Sequence, residues 1–143
     1  MNSAIICIGN RLMVDDSAGL MVYDQLKQRC LPDTIEVIEG GLMGLNLLPF
    51  LERGGRVVFV DNVRGFTRPG SLIVLNQAQV IATGAEHYDH NSCLAYVLSV
   101  LPKVCEGTLA QDVVLLGIEG PPTERLVQEA ANLSVFIAQN GHP

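Results

Sequence analysis

The 143-residue chain has room for one domain with a buried core, and it carries a net charge of −6 and no tryptophan. That balance, with only 5% aromatic residues, argues against nucleic acid or an anionic lipid surface as partner, since both favour basic faces or stacking platforms. No apolar run approaches the roughly 20 residues of a bilayer span, and Met1-Asn2-Ser3 lacks the basic start of a signal peptide; a cytoplasmic protein with no membrane partner is expected.

Hydrophobic residues make up 48% of the chain and charged residues 17%. Such an apolar composition fits strands covered on both faces. The four cysteines, Cys7, Cys30, Cys93 and Cys105, show neither CxxC spacing nor the density of a disulfide scaffold. Cys7 in a predicted strand and Cys93 in a predicted helix read as buried small hydrophobes.

In chain order, the β-branched run 4–8 predicts a central strand that stops at Gly9-Asn10. Leu12 and Met13 are expected to anchor the following loop against the core, ahead of the paired acids Asp15 and Asp16. Ala18, Met21, Val22 and Leu26 form one face of a helix over 17–29, ended by Leu31-Pro32-Asp33. Residues 34–38 predict a second strand, and the apolar stretch 43–53 a helix with Pro49 bending it or lying in its first turn. Residues 56–60, VVFV after Arg56, are the strongest strand signal and end at Asp61. Arg68-Pro69-Gly70 turns the chain into a fourth strand, 71–75, after a connection too short for a helical crossover, so this strand is expected to be antiparallel. Residues 76–88 predict a loop. A helix over 91–101 follows, with Asp89 and Asn91 as candidate caps. A fifth strand over 112–118 ends at Glu119, and a last helix spans 123–139.

The order β-α-β-α-β-β-α-β-α, without repeat or linker, describes one α/β domain over 1–143: a twisted, mostly parallel sheet with helices on both faces. Ligands of such sheets bind beyond the carboxyl ends of the strands. The residues expected there, Asp15, Asp16, Glu39, Asp61 and Glu119, are all acidic.

Each acid also has a plain reading. Asp61 suits a carboxylate accepting bonds from turn amides, and Asp15 or Asp16 could cap the helix beginning near Ser17. Two adjacent acids in a chain this poor in charge exceed what one cap needs. His87 reads as a solvated side chain, whereas His90 precedes a helix that must pack near the acidic rim. Asp16, Asp61 and His90 together would offer two oxygens and one imidazole nitrogen with open positions, a set suited to a divalent ion such as nickel or zinc. HExxH, GxSxG and GxxxxGK[ST] are absent, and Cys7, Gly9 and Leu12 occupy the glycine positions of GxGxxG. Nucleotide binding is not expected.

The segments IGNRLMVDDSAGL, GGLMGLNLL, VVFVDNVRGFTRPGSL, HNSCLAYVLSVL and VVLLGIEGPP, in this order and spacing, resemble the nickel-iron hydrogenase maturation proteases. The resemblance runs from Ile5 to about Phe136, and GN-x-L-x-x-D-[DE]-x-x-G at 9–19 is its most specific element. It implies an α/β/α sandwich with a mixed five-stranded sheet. It also implies an endopeptidase that removes the C-terminal extension of a nickel-loaded hydrogenase large-subunit precursor. Asp16, Asp61 and His90 match the family's metal-binding positions and are taken as both metal-binding and catalytic. Nickel is then recognised in the substrate, and zinc or cadmium could occupy the same site.

Three departures stand out. Cys7 replaces the usual first glycine and would crowd the strand end, Leu42 stands where a hydroxyl is common, and the chain stops soon after its last helix. Asp15 and Glu119 are candidate supports for the ligands. A monomer is expected. Two rivals from other classes are a non-catalytic metal- or precursor-binding maturation factor and a small-molecule α/β hydrolase.

Overall fold

A computed structural model describes residues 2–41, 45–84 and 90–143, except the side chains at 45, 84 and 90–93. Five strands, β1 (Ser3–Ile8), β2 (Ile35–Gly41), β3 (Arg56–Val63), β4 (Ser71–Asn76) and β5 (Asp112–Glu119), form one sheet in the order β2-β1-β3-β5-β4. The first four in that order are parallel, and β4 runs antiparallel to β5, as the short connection before it requires.

Alternation along the strands divides the core in two. Ile5 and Cys7, Val58 and Val60, and Val114, Leu116 and Ile118 face α1 (Ala18–Lys27) and α5 (Glu124–Asn140), meeting Ala18, Val22, Leu26, Leu126, Ala130 and Ile137. Ile6 and Ile8, Val57 and Phe59, and Val113 and Leu115 face the other way. That face is covered by α2 (Leu48–Leu51), α3 (Gln77–Gly84) and α4 (His90–Val104), through Leu51, Val80, Leu94, Leu98 and Leu101. The inner strands β1, β3 and β5 are therefore apolar over most of their length because neither face is wet, whereas the edge strand β2 carries exposed Glu36 and Glu39. Cys7 joins the α1/α5 cluster with no exposed surface.

Several elements differ from the sequence expectation. The expected loop over 76–88 contains α3. Asn76 Oδ1 accepts from the Gln79 amide (2.9 Å) and Gln79 Oε1 accepts from the Asn76 amide (2.8 Å), a reciprocal box at a helix start, while Val80 is buried beneath it. The expected helix over 43–53 is a 3₁₀ turn, Leu45–Leu47, followed by the single turn of α2 with Pro49 at its start. Its first residues, Met43 and Gly44, like Leu42, lie outside the described residues. α4 runs on past residue 101 to Val104, with Pro102 inside it. Asp89 and His87 lie outside the described residues, and Asn91 sits in the first turn of α4, not ahead of it. Among the described residues no helix is long and apolar enough to cross a membrane.

Candidate active site

From β1 the chain crosses to β2 on one side, then returns to β3 on the other, so the order reverses between β1 and β3. A crevice at such a reversal, beyond the carboxyl ends of the strands, is where sheets of this kind hold ligands. Asp16 and Asp61 flank it. Asp16 closes a 3₁₀ turn, Val14–Asp16, after β1 and is 4% exposed. Asp61 has no exposed surface.

Asp61 does not lie past its strand, as expected, but within it, because β3 continues to Val63 through pairing of Asp61 with Gly117 and Val63 with Glu119. Glu39 and Glu119 are likewise strand residues. In the alternation of β3, Asp61 shares the parity of Val57 and Phe59, on the face covered by α4. His90 is the first residue of α4; its side chain lies outside the described residues. The structure thus places Asp16 and Asp61 at the same, carboxyl end of the neighbouring strands β1 and β3, and the backbone of His90 at the start of the helix covering Asp61's face.

Close backbone approach seats the turn that bears Asp16, and the start of α1, on the ends of β1 and β3. Asn10 N–H donates to the Asp16 carbonyl at 2.7 Å, and a Cβ at Gly9 would strike that same carbonyl oxygen. Gly19, in the first turn of α1, sits so near the ends of β1 and β3 that a Cβ would collide with the Ile8 carbonyl oxygen and lie 2.7 Å from that of Val60. Gly9 and Gly19 thus meet a packing requirement: only glycine lets the loop and helix come down onto the strand ends.

The helix cap expected from Asp15 or Asp16 comes from elsewhere. No side chain at Ser17 caps α1; instead Asn62 Oδ1 accepts from the Ala18 amide at 3.0 Å, and Asn62 Nδ2 donates to the Ile118 carbonyl at 3.3 Å. One buried amide beside Asp61 therefore ties β3 to α1 and β5. Asp61 Oδ1 accepts from the Asn62 amide at 2.8 Å, which fixes the carboxylate's orientation. The partner of this cap lies 44 residues away, so no local pattern announces it.

The remaining acids separate from the crevice pair. Glu119 Oε1 accepts from the Phe66 and Thr67 amides at 2.9 and 3.3 Å, holding the loop between β3 and β4. Asp15 is exposed, its nearest cation being Arg64 at 3.8 Å. Glu39 is paired at 3.1 Å with Arg11, whose guanidinium also grips both oxygens of Asp24 at 2.9 Å. That hydrogen bond holds the Asp24 carboxyl below its ordinary range. Leu12 and Met13 do not anchor the loop as expected: they are 92% and 55% exposed. The backbone of the turn is closed by its own hydrogen bonds, which leaves these side chains pointing outward.

A cleft of about 260 Å³ opens beside the pair, lined by Asp15, Asn62, Val63, Arg64, Glu119 and Pro121. A second cleft, of about 180 Å³, lies at the opposite end of the strands, by the starts of β1, β2 and β3, among Ser3, Glu36, Arg53 and Arg56. The crevice with buried carboxylates is the candidate site.

A family model described as hydrogenase maturation protease matches residues 20–133. The hydrogenase 2 maturation protease of Escherichia coli is 29% identical over 121 residues, covering 82% of this chain and 73% of that protein. A putative hydrogenase maturation protease of Methanocaldococcus jannaschii is 30% identical over 119 residues, covering 81% and 74%. Among solved structures, the hydrogenase maturating endopeptidase HybD of E. coli superposes with a TM-score of 0.82 at 25% identity, covering 99% of this chain and 94% of that one. The acids at the crevice thus stand in a fold and sequence context shared along most of the chain, and the chain belongs to the hydrogenase maturation protease family, a family of peptidases.

Proposed function

We propose that the chain is an endopeptidase that removes the C-terminal extension of a nickel-iron hydrogenase large-subunit precursor, and that Asp16, Asp61 and His90 recognise nickel already installed in that substrate. The observation that carries this reading is the pair of buried carboxylates, Asp16 and Asp61, flanking the reversal point between β1 and β3. A carboxylate taken out of water loses hydration. A dication offsets that cost, so two buried carboxylate donors fit a divalent ion, with His90 as the nitrogen ligand and zinc or cadmium as substitutes for nickel. When bound, such an ion supplies a Lewis acid and a fixed point of attachment for the substrate.

The chain's own residues supply the rest. The amide of Asn62 orients the Asp61 carboxylate, and the Asn62 side chain holds the start of α1, hence the turn bearing Asp16, against β3. The cleft bounded by Asp15, Val63, Arg64 and Pro121 opens next to the residues that follow and precede the acids, where the segment to be cut would lie. Specificity then follows from differential binding: a precursor without nickel offers no ion to the carboxylates and is left uncut. The protein acts as a monomer in the cytoplasm.

A processing assay tests this, mixing protein with nickel-loaded or nickel-free precursor and reading the size shift on a denaturing gel. Cleavage is expected only of loaded precursor, and Asp16→Asn, Asp61→Asn and His90→Ala are each expected to abolish it while keeping a cooperative thermal transition. Wild-type cleavage by the Asp61→Asn protein would remove the metal-site assignment. Cleavage of nickel-free precursor at the same rate would remove nickel recognition.

A further inference from the structure

Folded proteins expose large apolar side chains singly; consecutive exposure beside a functional site asks for a partner. Leu12, Met13 and Val14 are 92%, 55% and 72% exposed. They do not owe this to a slack loop. Asn10 N–H bonds the Asp16 carbonyl (2.7 Å), Met13 N–H the Asn10 carbonyl (3.1 Å) and Asp16 N–H the Met13 carbonyl (2.9 Å), while Asn10 Oδ1 accepts from the Leu12 amide (2.9 Å). Arg11, between them, is tied to α1 through Asp24 and to β2 through Glu39. The result is a rigid apolar spur whose ordering cost is met in the free protein. Partly exposed Met21 extends it onto α1, since the Ser17 hydroxyl touches both the Val14 carbonyl (3.0 Å) and the Met21 sulfur (4.0 Å).

The spur and the crevice share one loop. Val14 and Asp16 are two positions apart, within about 7 Å along the chain, and Asp15 between them lines the cleft. Any macromolecule that brings a metal to Asp16 must therefore cover the spur.

We propose that Leu12, Met13 and Val14 are the docking surface for the body of the hydrogenase large-subunit precursor, seating in an apolar pocket beside the segment to be cut. The proposal rests on the peptidase reading above. Around the spur Asp24 and Glu39 are paired with Arg11, and Asp15 lies 3.8 Å from Arg64, so the charge there is nearly balanced and the complementary pocket is apolar without a strongly charged rim.

The test is steady-state processing of nickel-loaded precursor by a Leu12→Ser/Val14→Ser double variant, beside a Leu12→Met/Val14→Ile variant that keeps the spur apolar. The serine variant is expected to raise KM about 10- to 100-fold, as loss of two apolar anchors implies, with kcat within about twofold of wild type and Tm unchanged. The apolar variant is expected to match wild type. An unchanged KM in the serine variant, with wild-type protein cutting normally, overturns the docking surface alone. A Tm lowered by several degrees overturns it too, because the side chains would then be packed. So does a wild-type dimer in sedimentation that the serine variant dissolves, since a second copy would be the occupant. Failure of wild-type protein to cut any loaded precursor overturns the peptidase reading, and the docking surface with it.

Discussion

Gly19 provides a prediction in which two physical effects disagree in sign. It lies in the first turn of α1, where Ala should be favoured over Gly by about 1 kcal/mol of helix propensity. The structure says otherwise. An added Cβ would collide with the Ile8 carbonyl oxygen and stand 2.7 Å from that of Val60, both backbone atoms at the ends of strands paired on two sides. Carbon and carbonyl oxygen normally meet at about 3.3–3.6 Å, so α1 must retreat by about 1 Å. Overpacking of this kind costs about 1–3 kcal/mol, and the same movement stretches the 3.0 Å bond from the Ala18 amide to Asn62, whose loss costs about 0.5–1.5 kcal/mol. After the propensity gain, Gly19→Ala is expected to destabilise the protein by about 1–3 kcal/mol, lowering Tm by about 3–10 °C for a chain of this size. Thermal unfolding followed by circular dichroism measures it. In the processing assay at a temperature where the variant is still folded, the rate is also expected to fall, because Asp16 moves with the start of α1. A Tm equal to or above wild type would refute the close approach of α1 to the strand ends, and with it the packing that seats the Asp16 turn there.

Other outcomes follow from single interactions. Asn62→Ala removes the cap on α1 and the tie to Ile118 and is expected to cost about 1–2 kcal/mol, read as a lower urea midpoint with unchanged slope; an unmoved midpoint would refute the bridging role. The Asp24 carboxyl is held low first by its hydrogen bond to Arg11, so the pair stabilises the fold above the ordinary carboxylate pKa and loses that contribution as pH falls through the lower, folded value. Arg11→Met is accordingly expected to lower Tm slightly at neutral pH and low salt, with the difference vanishing in strong acid or high salt; a difference that grows on acidification would contradict it. Burial pushes the Cys7 thiol far above its ordinary range, with the charges of Asp24 and Glu39 adding to the effect. In native protein at pH 8, iodoacetamide should therefore label exposed Cys30 and spare Cys7 until denaturant is added, as peptide mass spectrometry would report. Equal labelling of both would refute the buried placement.

Much of the architecture is legible in residue order because it depends on short-range physics. The apolar runs in β1, β3 and β5 identify buried strands, alternation within them assigns residues to two cores, and the brief connection before β4 dictates its direction. The acids near the strand ends identify the edge that matters. One miss was legible too: the Asn76 and Gln79 pair that opens α3 is a local signal. The rest depended on tertiary structure. Leu12 and Met13 look equally suited to a core or a spur, since hydrophobicity in a loop does not reveal which way the backbone turns it. Which acids share a crevice depends on where the strand order reverses. Glu39 is drawn off by Arg11 and Glu119 by the amides of Phe66 and Thr67, whereas Asp16 and Asp61 are buried at the ends of neighbouring strands. Sequence by itself determined the strands, their faces and the kind of side chain at the rim. Only the tertiary structure decided the partners, because Asn62 meets Ala18, and α1 meets the ends of β1 and β3, across chain separations that no local period or turn motif can encode.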